Sequence, residues 1–204
     1  MGDTNGENKK KTAREIIDNY NGPKVRIMEV CGTHTHEIFR LGIRKLLPEQ
    51  VELISGPGCP VCVTPVSFID EAIYLALEKG VTICTFGDLV RVPGTKMSLA
   101  GAREKGAKIR IVYSPADAEK YASKHSEEQV VFLSVGFETT TPAECLSVKK
   151  AKKDGLMNYS LLMANKTMPQ AYEALKGSAD IFLYPGHVNA ITGTELCEKL
   201  TEEG

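Results

Sequence analysis

The sequence lacks any strong excess of charge of one sign. Its 204 residues include 25 lysines and arginines and 26 aspartates and glutamates, which gives a formal net charge of −1 at pH 7. Nucleic acids and anionic membranes attract proteins that carry a concentrated positive field, so neither is expected as a partner. Hydrophobic residues nevertheless make up 42% of the chain. We therefore predict a soluble globular protein that buries a sizeable core.

Long apolar runs are also missing. No stretch approaches the roughly 18 consecutive apolar residues of a membrane span. Residues 1–11 are polar and lack the apolar centre of a signal peptide. We expect a cytoplasmic protein with a disordered tail at residues 1–11. In that compartment the six cysteines are expected to be free thiols, metal ligands or redox centres rather than a disulfide framework.

Three common catalytic signatures are absent as well: a Walker loop, a Ser-His-Asp order and a Rossmann glycine fingerprint. What the sequence does have is a regular alternation of strand and helix patterns. Helical segments, among them residues 34–47 and 189–202, alternate with seven strand-like runs at residues 25–30, 51–55, 81–86, 108–113, 129–135, 159–164 and 181–184. Apolar strands separated by helices form parallel βαβ units, so we predict an α/β fold in which helices flank parallel sheets.

The alternation divides most simply into two lobes. Charged residues are concentrated around residues 114–128, and this stretch separates a cysteine- and histidine-rich part from the remainder. We predict one α/β lobe at residues 12–114 and a second at residues 115–204. Because the alternation stops on a helix, we expect the second lobe to be incomplete and the chain to be part of a longer protein.

The loop after the first predicted strand reads Cys31-Gly-Thr-His-Thr-His36. A helix that begins there would favour a thiolate at Cys31 through its free N–H groups and its dipole. His34 lies three positions further along and can reach the same ion, whereas His36 lies on a different side. Cys31 and His34 are therefore predicted metal ligands. The alternative is a small buried hydrophobic cysteine beside histidines that act only as polar residues at the N-terminus of the helix.

The second predicted strand leads into Gly56-Pro-Gly-Cys-Pro-Val-Cys62. Cys59 and Cys62 form a C-x-x-C pair, which can close a disulfide or bind a soft metal. An intracellular βα context favours redox chemistry. A zinc site completed by Cys31 and His34 remains the competing interpretation. The glycines of this loop are expected to allow close backbone approach.

Polar side chains follow three later strands. Asp88 is either a site residue or a helix cap. Glu138, Thr139 and Thr140 form a polar turn that we predict to bind a cofactor, because capping does not account for every hydroxyl in it. His187 is either a ligand or acid/base group of the second lobe or an ordinary loop histidine.

These motifs together resemble the HypD family of hydrogenase maturation factors. The resemblance covers residues 12–200 and rests on five motifs in order, namely Cys31-Gly-Thr-His-Thr-His36, Gly56-Pro-Gly-Cys-Pro-Val-Cys62, Thr85-Phe-Gly-Asp-Leu-Val-Arg-Val-Pro-Gly94, Gly136-Phe-Glu-Thr-Thr-Thr-Pro142 and Pro185-Gly-His-Val188. It implies a scaffold on which iron with two cyanides and one carbon monoxide, Fe(CN)2CO, is assembled for nickel-iron hydrogenase. A small HypC-type chaperone would share the iron, and a HypE-type carrier would deliver cyanide.

The resemblance also implies residue roles. Cys31 and His34 match the iron-binding pair, Cys59 and Cys62 match the redox thiols, and Asp88 and His187 match motif positions whose roles are less defined. Full-length family members hold a [4Fe-4S] cluster through cysteines in a C-terminal region, and this chain stops before any such motif.

Two other functions are compatible with the residues alone. One is a thiol-dependent enzyme in which Cys31 is the nucleophile, assisted by His34 or His36. The other is a structural zinc module, which chelation would unfold.

Overall fold

The computed structural model describes residues 12–202, so the tail predicted for residues 1–11 lies outside the described residues. The strands are β1 Val25–Glu29, β2 Val51–Ser55, β3 Thr82–Thr85, β4 Ile109–Ile111, β5 Val130–Ser134, β6 Tyr159–Met163 and β7 Ile181–Leu183. The α-helices are α1 Ala13–Asp18, α2 Gly32–Arg40, α3 Val66–Glu78, α4 Leu99–Glu104, α5 Pro115–Lys124, α6 Thr141–Lys153, α7 Met168–Leu175, α8 Gly186–Thr192 and α9 Glu195–Glu202. Short 3₁₀ helices occupy Ile43–Leu46 and Leu89–Arg91.

The predicted α/β class is confirmed. Each of the seven predicted strands is present, and all strand pairs are parallel. Two predicted helical segments are each broken in two, because Gly42 and Gly193 adopt left-handed backbone angles with φ of 62° and 80°. Glycine takes this conformation readily, and it commonly ends a helix.

The strands form two separate sheets. One sheet has the order β2-β1-β7 and the other has the order β4-β3-β5-β6. In the first, the central strand β1 pairs Val25 with Val51 on one side and Ile27 with Ile181 on the other. The last strand along the chain is therefore a neighbour of the first.

This pairing overturns the predicted boundary between residues 114 and 115. Within the described residues, one compact unit contains residues 12–58 together with Leu175–Pro185, and the other contains Cys59–Ala174 together with residues 186–202. The prediction was wrong because β3 pairs with β5, across the charged stretch, and because β7 returns to β1. Alternation along a sequence predicts that strands exist but does not determine which strands pair.

The four-stranded sheet is buried on both faces. Alternate residues of a strand point to opposite faces, and Ile83 and Leu133 accordingly enter one apolar cluster while Cys84 and Phe132 enter another. Helices α3 and α4 supply most of the first cluster, and α5 supplies Ala118 and Ala122 to the second. Strands β3 and β5 are almost entirely buried.

The three-stranded sheet has fewer buried apolar side chains, with Met28, Val30 and Ile38 among them. A polar contact secures its outer strand. The Asp180 carboxylate accepts hydrogen bonds from the backbone N–H of Arg26 at 2.7 Å and from the Arg26 guanidinium at 3.1 Å. Because these residues are 154 positions apart, the contact joins distant parts of the chain.

Between residues 12 and 202 the helices are too short or too polar for any of them to cross a membrane.

Candidate functional site

Cys31 lies at the carboxyl end of β1, the central strand of its sheet. It is the residue immediately before α2 and has the extended backbone angles of an N-cap, with φ of −149° and ψ of 124°. Its thiol makes no capping hydrogen bond and its residue is only 8% exposed. Ligands of parallel sheets bind at the carboxyl ends of strands, and Cys31 occupies such a position beside the N-terminus of a helix.

His34 lies in the first turn of the same helix and is half-buried. Its Nδ1 atom is buried and has no hydrogen-bond partner within the described part of the chain. A buried ring nitrogen without a partner is unfavourable unless a ligand completes it. His36, in contrast, is exposed and lies 3.3 Å from the Glu37 carboxylate. The two histidines therefore differ in environment as the spacing predicts, while iron binding itself stays a prediction.

The glycine-rich loop packs directly against the end of β1. The backbone N–H of Gly56 donates to the carbonyl of Glu29 at 2.8 Å. A Cβ atom on Gly58 would overlap the backbone of Val30 and Cys31, so only glycine fits at this approach. The close approach expected from the sequence is present, and Cys59 is the next residue along the chain.

Glu29 is a buried carboxylate two residues before Cys31, and the sequence analysis did not identify it. It is fully buried, and its Oε1 atom accepts a hydrogen bond from the Ser55 hydroxyl at 2.6 Å. Arg44 donates to the same hydroxyl at 3.1 Å and lies 3.9 Å from the carboxylate. The Oε2 atom is buried and has no hydrogen-bond partner among residues 12–202. Its position at the end of β1 gives no clear signal in the sequence, because Arg26 in the same strand is also charged.

Cys59 and Cys62 occupy the turn that follows Gly58. The backbone N–H of Cys62 donates to the Cys59 sulfur at 3.3 Å, and Cys62 is exposed while Cys59 is half-buried. Hydrogen bonding to the Cys59 sulfur raises the pKa of the Cys62 thiol. A raised pKa favours the thiol form of Cys62 over its thiolate. All six cysteines are free thiols.

Asp88 and His187 are both exposed. Asp88 accepts the backbone N–H of Leu89 at 2.9 Å and so caps the short helix Leu89–Arg91. The capping interpretation of Asp88 is thus observed. His187 lies in the first turn of α8, where Val188 beside it is buried.

Glu138 borders a cavity of about 400 Å³ near the carboxyl ends of β5 and β6. Its Oε1 atom accepts a hydrogen bond from the backbone N–H of Met168 at 2.8 Å, whereas Oε2 is buried and has no partner in the part of the chain that the structure describes. Thr139 is exposed, and Thr140 precedes α6 without capping it through its side chain. The cavity is lined by Glu138, Thr141, Pro142, Cys145, Asn165, Lys166, Thr167, Ile191 and Thr192.

Asn165 and Lys166 border this cavity and were not predicted from the sequence. Asn165 accepts the Ser134 hydroxyl at 2.6 Å and donates to the buried carboxylate of Glu144 at 2.6 Å. Lys166 donates to the carbonyl of Ala164 at 2.9 Å, and burial lowers the pKa of its ammonium group. Both follow β6 at its carboxyl end, which is the positional signal that would have identified them.

The predicted site residues therefore fall into separate groups. Cys31 and His34 belong to the unit with the three-stranded sheet. Residues Cys59, Cys62, Asp88, Glu138, Thr139, Thr140 and His187 belong to the other unit.

This architecture defines a class of α/β proteins that carry thiols and imidazoles at the carboxyl ends of parallel strands. The family model of HypD, described as the hydrogenase formation hypA family, matches residues 7–204. The chain belongs to the HypD family.

Curated relatives agree with this assignment. The hydrogenase maturation factor HypD of Rhodobacter capsulatus is 45% identical over 183 residues, which cover 88% of this chain and 48% of the relative. The protein of the same name from Escherichia coli is 46% identical over 175 residues, which cover 84% of this chain and 47% of the relative. The chain thus spans about half the length of the relatives it matches.

Proposed function

We propose that this chain takes part in hydrogenase maturation as a scaffold that holds iron while the Fe(CN)2CO group is assembled. The observation that carries the proposal is the pairing of a buried thiol at Cys31 with a half-buried, unpartnered ring nitrogen at His34, at the two ends of the first turn of α2. A thiolate and a neutral imidazole are suitable ligands for a first-row transition metal. Two protein ligands leave the remaining positions of the iron open for diatomic ligands and for a partner.

The C-x-x-C pair is proposed to supply electrons to this assembly. Oxidation of Cys59 and Cys62 to a disulfide releases two electrons and two protons. If cyanide arrives as a thiocyanate on a HypE-type carrier, those electrons break its S–C bond. The products are cyanide, the carrier thiol, one proton and the disulfide. The structural support is local: Cys59 directly follows Gly58, whose Cα is packed on the Cys31 backbone.

Partner proteins are part of the proposal, including a HypC-type chaperone that shares the iron. Phe39, in the last turn of helix α2, is 67% exposed, and Leu41, which directly follows the helix, is 54% exposed. Neighbouring exposed apolar side chains are typical of protein interaction sites. The reducing chemistry of free thiols also suits the cytoplasm, which we propose as the location.

The polar turn around Glu138 is proposed to bind an incoming group rather than the iron. Glu138 offers a buried oxygen without a partner, and Lys166 offers an ammonium group whose charged form is disfavoured by burial. An acceptor and a donor at one cavity suit a small polar ligand. Asp88 and His187 remain proposed site residues, for which the motif positions are the support.

Iron content after anaerobic reconstitution together with a HypC-type partner tests the metal proposal. We expect Cys31→Ser and His34→Ala each to lower bound iron by about tenfold or more, because mutation even of the groups that only hydrogen-bond to metal ligands typically lowers metal affinity by about 10–100-fold. Cys145→Ser and His36→Ala are matched controls at exposed positions and should retain iron. Infrared bands of cyanide and carbon monoxide would identify the cargo. Full iron loading in the variant that lacks both Cys31 and His34 would rule out this assignment.

Mass spectrometry after alkylation tests the redox proposal. Mild oxidation should protect Cys59 and Cys62 together, and a dithiol reductant should restore both. Cys145→Ser should leave this behaviour unchanged. Thiols at positions 59 and 62 that stay alkylatable under all oxidising conditions would contradict an electron-donating role.

A further inference from the structure

A cleft with no role in the proposed maturation chemistry lies along β4, the edge strand of the four-stranded sheet. Its volume is about 500 Å³, and it is bordered by the carboxyl half of β4 and by one face of α5. The lining residues are Arg110, Ile111, Val112, Tyr113, Asp117, Lys120, Tyr121, Lys124 and His125.

The cleft has an excess of positive charge. Arg110, Lys120 and Lys124 line it together with one carboxylate, Asp117. That carboxylate already accepts the Ser114 hydroxyl at 2.9 Å.

Two carboxylates outside the lining contact the cleft. Glu128 accepts the Tyr121 hydroxyl at 3.3 Å and is paired with Lys108. Glu127 lies 3.5 Å from His125. Since the whole chain has a net charge of only −1, the positive excess is local. An acidic occupant would complement it.

One of the positive side chains, that of Arg110, is held against an aromatic ring. The Arg110 guanidinium lies 4.3 Å from the centre of the Tyr121 ring. The Tyr121 ring also contacts the His125 ring, and the two ring centres are 4.1 Å apart. Stacking fixes the direction of a guanidinium and leaves its N–H groups available for a carboxylate. Tyr113, at the outer end of the cleft, is 93% exposed.

The edge of β4 also offers unused backbone groups. Hydrogen bonds from Ile83 N–H to the Lys108 carbonyl and from Val112 N–H to the Thr85 carbonyl show which residues face β3. Because backbone direction alternates along a strand, Ile109 and Ile111 point their N–H and C=O groups to the free side. No strand of the described chain pairs with that side of β4.

We propose that this cleft binds an acidic segment of a partner protein as an added parallel or antiparallel strand on β4. Main-chain hydrogen bonds to Ile109 and Ile111 would supply the pairing, and alternate acidic side chains would lie over Arg110, Lys120 and Lys124. Strand addition gives affinity through the backbone and specificity through alternate side chains. The proposal does not depend on the iron chemistry of Cys31 and His34.

A fluorescein-labelled seven-residue peptide of alternating valine and glutamate is the probe for this surface, used with the unmodified chain. Fluorescence anisotropy should show saturable binding that weakens several-fold when salt rises from about 0.05 M to about 0.5 M. The same peptide with lysine in place of glutamate should not bind. Absence of binding by the acidic peptide, or equal binding by the basic one, would overturn the proposal.

Protein variants locate the binding. The double variant Lys120→Glu, Lys124→Glu should bind the acidic peptide about tenfold or more weakly than the unmodified chain does. Lys149→Glu with Lys153→Glu is the matched control, since these exposed lysines have the same spacing near the end of the adjacent helix α6. An equal loss in the control would show non-specific attraction and overturn the proposal.

Two further measurements separate strand addition from simple anion binding. Peptides N-methylated on the glutamates or on the valines lose alternate N–H donors, and one of the two should bind about tenfold more weakly than the parent. Ile111→Pro removes an outward N–H at an edge position where proline is tolerated. It should weaken peptide binding by a similar factor. Its melting curve reports whether the variant is folded. Full binding by both methylated peptides would contradict strand addition. ADP serves as a small anionic probe without a peptide backbone, and ADP binding that is tighter than peptide binding and unchanged by Ile111→Pro would contradict it as well.

Discussion

The three-stranded and the four-stranded sheet follow the same parallel plan, yet their strands are buried to different depths. Every residue of β3 is buried, as are four of the five residues of β5. In the three-stranded sheet, β2 and β7 contain no fully buried residue, and only the last two residues of β1 are buried. The smaller unit therefore has less apolar burial with which to offset the entropy lost on folding.

The difference matters because Cys31 and His34 lie on the less buried sheet. Local opening is easiest where few apolar contacts are made, and residues that must admit a ligand often lie in such regions. Polar contacts replace part of the missing apolar core there, namely the Glu29–Ser55–Arg44 cluster and the Arg26–Asp180 contact.

Matched leucine truncations give the largest expected difference between the sheets. Leu133 in β5 is fully buried, whereas Leu53 in β2 is half-buried. Leu133→Ala should lower the free energy of unfolding by about 3–5 kcal/mol because it leaves a cavity in a closed core. Leu53→Ala should cost about 1–2 kcal/mol, since less area is lost and the site can relax. Urea unfolding followed by circular dichroism suits a chain without tryptophan.

Hydrogen exchange on the same two variants assigns each loss to its sheet. The Leu53→Ala variant should lose protection in β1 and β2, and the Leu133→Ala variant should lose it in β3 and β5. Equal losses of stability in the two variants would mean that the difference in burial has no energetic consequence.

Two buried cysteines sharpen the comparison. Cys84 lies in the centre of β3, and burial raises its pKa to about 11. At about pH 8 its thiolate fraction is roughly a hundredfold below that of a thiol with a pKa near 9. Alkylation of Cys84 should therefore be slow at about pH 8 and should accelerate with pH up to about 11. It should also be slower than alkylation of Cys31, because every residue of β3 is buried. Single-cysteine variants labelled with iodoacetamide measure both rates, and similar rates would contradict the view that the smaller sheet opens more readily.

The fold was largely predictable because strand and helix periods are local properties. Each predicted strand is present, and the range 51–55 matches β2 to the residue. The unit boundary was not predictable from periodicity, since the partner of β7 lies 154 positions away. The breaks at Gly42 and Gly193 depend on single left-handed residues inside otherwise helical patterns.

Residues of the candidate site were predictable only where the residue type alone indicates the chemistry. Cys31, His34, Cys59 and Cys62 are conspicuous because thiols and imidazoles cluster after strands. Glu29 and Asn165 are not conspicuous, since their roles arise from Ser55 and Glu144, which only the folded chain brings to them.

Removal of the Asp180 carboxylate is expected to give the smallest effect, confined to the smaller sheet. Hydrogen bonding from the Arg26 guanidinium and backbone holds the pKa of Asp180 below its usual value of 3.8. A carboxyl group with a lowered pKa in the folded state stabilises above its unfolded pKa, and this contribution is lost as pH falls through the folded value. Asp180→Asn should therefore destabilise the pairing of β7 with β1 at neutral pH and should have no effect in strong acid.

Hydrogen exchange at Ile27–Glu29 and Ile181–Leu183 measures this change directly, because those residues form the β1–β7 pairs. Asp18→Asn is the matched control, since Asp18 pairs with Arg14 on α1 at similar exposure but joins no strands. The control should leave strand protection unchanged. If Asp180→Asn also leaves it unchanged at neutral pH, the polar contact does not secure the outer strand, and apolar packing alone must hold β7 in the smaller sheet.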